Sequence, residues 1–243
     1  MAGRAEFLER IRREVAKTPG LFGATPTPRP ADPAVAAETV RRELAERWPE
    51  ALERFRAEFE RVAGVFHRAP DLAAVPAVLA GIARERGARR LVTWDPAALG
   101  FDPAPALARD GLEVVAARAG REDEAARRAH REQAARAELG VTTADFALAE
   151  TGTLILLSGS GRPRSTSLLP DIHVAVFGRD RLLETLEQVG VMLEALHVEP
   201  DRAMSGAMIN FITGPSRTAD IELTLTRGVH GPKEVHAVFV EAP

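Results

Sequence analysis

From residue 64 onward, short apolar runs alternate with helical stretches, and no other feature restricts the fold as much. Strands are predicted at 64–68, 90–94, 112–117, 146–149, 153–157, 172–177, 208–212 and 235–240. Helices are predicted at 72–86, stopped at Gly87, at 122–139, ending at Gly140, and at 180–196. Strands separated by helices of this length require right-handed crossovers and a covered, largely parallel sheet. Several runs are apolar throughout, as strands buried on both faces are. The expected fold is an open, mostly parallel α/β sheet.

The first 62 residues follow a different pattern. Phe7, Leu8, Ile11 and Val15 recur at helical spacing between Arg and Glu, which predicts an amphipathic helix. Pro26, Pro28, Pro30 and Pro33 then mark 19–33 as an extended linker. Helical periodicity resumes over 34–62, with a break predicted near Trp48-Pro49 because proline removes a backbone donor and crowds the preceding turn. The chain thus divides into a helical N-terminal extension, 1–62, and an α/β domain, 63–243.

Charge and composition exclude several functions. Basic and acidic residues, 32 and 35 of them, interleave along the predicted helices and leave no basic face for nucleic acid or a membrane surface. Cysteine is absent, so these residues provide no disulfide, no thiol nucleophile and no Cys-ligated zinc or iron–sulfur cluster. The six histidines form no HExxH pair, so no dedicated metal site is expected. The first residues lack the apolar core of a secretory signal, and no window approaches the ~20 apolar residues of a membrane span, so a cytoplasmic location is expected.

In open α/β sheets ligands bind beyond the carboxyl ends of strands. The loops after Leu157 and Ile212 are the richest in Gly, Ser, Thr and Arg, whereas those after Trp94 and Ala117 hold mostly Pro, Ala and Gly. In SGSGRPRSTSLLPD, 158–171, Gly159 and Gly161 let backbone N–H groups converge, while Arg162, Arg164, Ser165, Thr166 and Ser167 add donors. The loop matches neither a dinucleotide fingerprint nor a Walker loop. An anion cradle and a solvated surface loop fit this composition equally. The stretch GPSRTADIELTLTRGVHGP, 214–232, carries a similar set in Gly214, Ser216, Arg217 and Thr218, with Asp220 and Glu222 on one face if the segment is extended. An ordinary turn has the same composition. His173 and His230 are candidates for proton transfer, each with a structural role as the commoner alternative. Glu150, before Thr151-Gly152, is a candidate base or a turn cap. No Gly-x-Ser-x-Gly elbow supports a hydrolase triad.

The motifs AETGT, LLPDIH, GPSRTADIE and GVHGP, in this order within 144–178 and 209–240, resemble the LUD-domain proteins of the lactate-utilisation protein C type. The resemblance implies a sheet like that of the sugar-phosphate isomerase and CoA-transferase superfamily. It also implies a part in oxidising L-lactate to pyruvate alongside iron–sulfur partner proteins. The family supplies no settled catalytic residues, so the expected site is a physical reading of the matching motifs: a small anionic ligand, or a nucleotide- or CoA-type cofactor, held by Gly152, Arg162, Arg164, Ser165, Thr166, Gly214, Ser216, Arg217, Thr218 and Asp220, with Glu150, His173 and His230 as candidate catalytic groups. An oligomer is compatible with it. Two alternatives stay open: a stand-alone transferase- or ligase-like enzyme acting on a CoA thioester or phosphorylated metabolite, with Glu150 as nucleophile or base, and a non-catalytic assembly protein.

Overall fold

The computed structural model describes residues 4–17, 30–118, 124–198, 208–219, 225–227 and 230–242. Contacts divide the chain into two compact units, Met1–Ala31 and Asp32–Pro243. The first contributes α1 (Arg4–Ala16), on which Phe7, Leu8 and Ile11 are exposed. Most of the predicted linker lies outside the described residues.

The second unit opens with α2 (Pro33–Arg61), whose N-terminus is capped by the Asp32 carboxylate and starts with proline, where a missing N–H is harmless. The predicted break at Trp48-Pro49 does not occur: α2 is continuous, with Pro49 inside it. Proline in a helix interior costs about 3 kcal/mol. Ala37, Leu44, Ala51, Leu52, Phe55 and Phe59, spaced to share one face, are all buried, and that packing outweighs the penalty.

The alternation that follows is β1 (Val65–Ala69), α3 (Val75–Arg86), β2 (Arg90–Thr93), α4 (Pro96–Leu99), α5 (Ala104–Arg109), β3 (Glu113–Ala116), α6 (Glu124–Arg136) and β4 (Leu139–Thr143). Then come β5 (Phe146–Leu148), β6 (Thr153–Leu157), α7 (Ser165–Leu168), β7 (Ile172–Gly178), β8 (Leu182–Leu183) and α8 (Leu186–Val198). The chain ends with β9 (Ile209–Ile212), β10 (Arg217–Ala219), β11 (Leu225–Arg227) and β12 (Glu234–Val240).

Among the described residues, six strands form a parallel sheet in the order β1-β12-β7-β4-β2-β3. The open, mostly parallel α/β sheet expected from the alternation is therefore present. A second sheet, β8-β5-β6-β9, is mixed, and β10 and β11 form a hairpin. One core layer packs Ala175, Phe177, Ala237 and Phe239 of the parallel sheet against Phe55 and Phe59 of α2 and Leu154 and Leu156 of β6. The opposite face of the parallel sheet packs Val174, Val176 and Val238 on Leu79, Ile82 and Ala83 of α3. Ile155 and Leu157 turn the other way, onto Val189 and Met192 of α8.

Strand β4 falls where the helix at 122–139 was predicted to end at Gly140. Leu139, Val141 and Thr142 are wholly buried at the centre of the sheet. Gly140 admits α7 there: an added Cβ would lie 1.9 Å from the Thr166 carbonyl oxygen. The glycine marks close approach of backbone in a strand rather than a helix stop.

The order of connections creates an opening. From β2 the chain moves outward to β3, whereas from the adjacent β4 it proceeds the other way, to β7 and later β12. Connections leaving β2 and β4 therefore diverge, and their carboxyl ends flank a topological switch point, where ligands of open α/β sheets bind.

Candidate functional site

At this switch point lies a cleft of about 350 Å³. Its floor is Thr143, Ala144 and Asp145 after β4 and Val176, Phe177 and Gly178 of β7; Ala97–Gly100 form one wall, and Arg162 reaches in from the loop that follows β6. This loop is stitched to the end of β2: Asp95 donates its N–H to the Gly161 carbonyl (2.9 Å), and the Trp94 indole donates to that of Pro163 (3.2 Å). Gly161, at φ +69°, supplies the left-handed turn this needs.

The Arg162 guanidinium is fixed from two sides. It stacks over the buried Trp94 ring, 4.6 Å from its centroid, and donates to Asp145 Oδ1 at 2.9 Å. Asp145 is itself held, since its other oxygen accepts the Leu157 N–H at 2.7 Å. Asp145 thus ties the carboxyl end of β4 to both β6 and Arg162. Arg162 Nε is buried without a partner. Among the described residues, of about five guanidinium N–H donors, only one side of the fork is committed, to Asp145. Asp180 and Arg181 on the rim pair with each other at 2.9 Å.

The expectation of a single cradle made from two loops is not met. Leu157 and Ile212 end antiparallel strands of the second sheet, so the carboxyl-end rule for parallel strands does not apply to them. Leu157 pairs with Ile209 and Leu154 with Ile212, so the two loops leave opposite ends of that sheet. Their far ends meet elsewhere, at the amino end of the parallel sheet, where Ser216 donates its N–H to the Pro232 carbonyl and Lys233 donates to that of Asp171.

Of the predicted ligand-binding residues that are described, only Arg162 lines the cleft. Arg164 is exposed and donates to Asn210 Oδ1 (3.2 Å). The Thr166 hydroxyl is wholly buried against His130 Nε2 (3.2 Å), and Ser165 Oγ is buried without a partner. Gly152 and Gly214, at φ +61° and +82°, press on the backbone of α2 and of Val62 just beyond it. Arg217 donates to the Val62 carbonyl (3.0 Å), capping the same helix end. Ser216 Oγ accepts the His230 N–H at 3.4 Å, and the His230 residue is exposed. Thr218 lies in β10; Asp220 and Glu222 lie outside the described residues.

His173 has no exposure, and its Nε2 shares a hydrogen bond with Thr142 Oγ1 (2.9 Å) while Nδ1 has no partner. Burial, with a smaller contribution from the nearby His236, pushes its pKa down to about 3. A neutral, solvent-free imidazole has no route for proton transfer to a ligand.

Glu150 is exposed, and its Oε2 accepts the Leu186 N–H (3.0 Å) at the start of α8. That makes it a helix cap. Glu150→Ala should lower stability by about 0.5–1 kcal/mol, while Glu150→Gln, which keeps an acceptor, should match the parent protein. Paired urea midpoints check this, and a stable Ala variant would count against the cap.

A second polar cluster, at the amino end of the sheet, joins His67 Nε2 to His236 Nδ1 (2.9 Å), His236 Nε2 to Glu234 (3.2 Å), and Glu234 to Arg86 (2.8 Å). Burial drives both imidazole pKa values down. For Glu234, burial acts upward, but hydrogen bonds from Arg86 and His236 outweigh it and leave the carboxyl below its usual range.

Sequence reasoning missed Thr143, Asp145 and Asp180 of the cleft, and the buried Trp94 on which Arg162 stacks. The one available signal was a tryptophan followed by Asp-Pro at the end of a predicted strand. Aromatic and acidic residues are weak markers singly, and the pairing of Asp145 with Arg162 spans two loops.

A parallel sheet opened at its switch point, with a clamped arginine in the opening, defines an open α/β protein with a candidate ligand cleft. The chain belongs to the LUD-domain family, whose model matches residues 52–240. It is similar to lactate utilization protein C of Halalkalibacterium halodurans, 38% identical over 161 residues, 66% of each chain. The proteins of the same name from Geobacillus sp. and Exiguobacterium sp. are 38% and 41% identical over 43% of this chain and 43% and 45% of theirs. The matched region thus spans from under half to about two thirds of these relatives. In fold the chain resembles a DUF162 family protein from Deinococcus radiodurans, with a TM-score of 0.53 and 21% identity over 79% of this chain and 98% of that one.

Proposed function

We propose that this chain takes part in lactate utilisation and binds a small carboxylate at the Arg162 cleft. The observation that carries this is the guanidinium itself, immobilised by Trp94 and Asp145 at the switch point, with its second terminal nitrogen, Nη1, in no hydrogen bond among the described residues. A planar fork suits a carboxylate, and one already fixed in place loses little freedom on binding. The apolar neighbours Leu99, Val176 and Phe177 suit a short hydrocarbon body beside it. The names of the relatives support lactate utilisation as the setting.

Oxidising a hydroxy acid releases electrons, and these residues include no cysteine to ligate a cluster. Electrons then pass to partner proteins or to a cofactor, and it is the family resemblance that implies iron–sulfur partners. Among the described residues no helix is long and apolar enough to cross a membrane, which is compatible with assembly in the cytoplasm.

Calorimetric titration with L-lactate and pyruvate tests the site. Arg162→Gln should weaken binding about 10- to 100-fold, the equivalent of ~1.4–2.7 kcal/mol, measured on a variant shown to be folded, because leaving Asp145 without its partner also lowers thermal stability. Equal affinity in parent and variant would remove Arg162 from the site. Growth on L-lactate, restored by the parent chain and not by Arg162→Gln in a strain lacking its own copy, tests the setting.

A further inference from the structure

The geometry points to Asp145 as the residue that sets the charge class of the ligand: it makes the cleft accept monoanions and reject dianions such as inorganic phosphate and phosphorylated metabolites. The inference rests on the proposal that Arg162 receives an anion.

Among the described residues four charged side chains line the cleft, Asp145, Arg162, Asp180 and Arg181, and they sum to zero as two ion pairs. Arg162 therefore does not offer an unbalanced positive charge. Asp145 cannot turn away to provide one, because Oδ1 takes Arg162 at 2.9 Å and Oδ2 takes the Leu157 N–H at 2.7 Å. Its side chain is only 12% exposed, against 26% for Arg162, so the carboxylate stays beside the guanidinium on the cleft floor.

For an anion entering this place, attraction to Arg162 grows in proportion to its charge, but Asp145 cancels most of it. The cost of leaving water grows with the square of the charge, roughly four times larger for a dianion than for a monoanion. With the attraction nearly cancelled, desolvation decides, and the dianion loses. A monoanion retains the directional hydrogen bonds of the uncommitted donors at the smaller cost. Phosphate sites, by contrast, surround the anion with several unopposed donors and cations. A neutral, half-apolar cleft with one pre-paired arginine lacks that surplus.

Titrating the full chain with L-lactate and with inorganic phosphate at pH 8.5, where phosphate is almost wholly the dianion, tests this. The parent chain should bind L-lactate at least ten-fold more tightly than phosphate. Asp145→Asn, with folding checked by thermal unfolding, should bind phosphate at least ten-fold more tightly than the parent does and raise lactate affinity less. A parent that binds phosphate as tightly as lactate overturns the inference, even if the variant does not fold. So does a folded variant with an unchanged preference. If the parent binds neither anion yet Asp145→Asn gains phosphate, charge selection stands and the carboxylate proposal fails. If neither protein binds either anion, both fail.

Discussion

Gly152→Ala is expected to destabilise the protein by about 4 kcal/mol or more, beyond the range of ordinary substitutions, and to leave little folded chain at 37 °C. Two costs combine. Gly152 sits at φ +61°, where a Cβ strains the backbone by roughly 1 kcal/mol or more. That Cβ would also lie 2.3 Å from the backbone nitrogen of Phe59 and 2.5 Å from the carbonyl carbon of Glu58. Both atoms belong to helix backbone, which cannot rotate aside as a side chain would. Relief requires lifting the end of α2, and with it Phe55 and Phe59, which are completely buried. Thermal and urea unfolding of the variant measure this. A glycine serving only to admit a ligand would behave otherwise: its alanine variant would keep the parent midpoint and lose affinity, and that outcome would refute the packing role.

Below pH 6.5 stability should fall steeply. His173 has an ordinary value of 6.5 when exposed by unfolding and about 3 in the folded protein. Above pH 6.5 it is neutral in both states and adds no pH dependence, so stability there is complete. As pH falls below 6.5 the unfolded chain takes up the proton and the folded chain does not, which favours unfolding until pH reaches the folded value near 3. The slope approaches about 1.4 kcal/mol per pH unit, or on the order of 5 kcal/mol across the window. His67 and His236, whose values are lowered chiefly by burial, act in the same direction.

Urea midpoints between pH 4 and 8 give the slope. In the double variant His173→Leu with Thr142→Val the slope should decrease by up to one proton. Both polar partners of the 2.9 Å hydrogen bond are removed together, so no new buried group is orphaned. The buried Nδ1, which has no partner, disappears as well. An unchanged slope in a folded double variant would assign acid sensitivity to other groups.

The two predictions concern residues that sequence reasoning had placed among ligand-binding and catalytic candidates, and the contrast is instructive. Gly152 stood out because Glu-Thr-Gly between apolar runs signals a turn, and a turn is present. What a sequence does not display is the object facing the turn, here the backbone of a helix over 90 residues earlier. His173 stood out as a titratable group at the start of a strand. Its neutrality follows from complete burial, with a smaller contribution from His236 on the neighbouring strand, and the segments involved are distant in the chain. The prediction that failed outright at a helix, the break at Pro49, failed for a related reason: local propensity was outweighed by a buried face.

By itself the sequence determined the strands and helices whose hydrophobic period is local, and hence the parallel α/β class, because burial on both faces writes itself into each run. Its motifs also carried the family. Only tertiary structure decided which strands adjoin. The insertion of β4 between β7 and β2 created the switch point, and it moved the cleft from the donor-rich loops to the ends of β2 and β4. Arg162 was legible as a cation on a glycine loop, but its partners Trp94 and Asp145 were not. An ion pair and a stacked ring depend on distances of 2.9 and 4.6 Å between segments separated in the chain, and long-range pairing leaves no periodic trace in sequence.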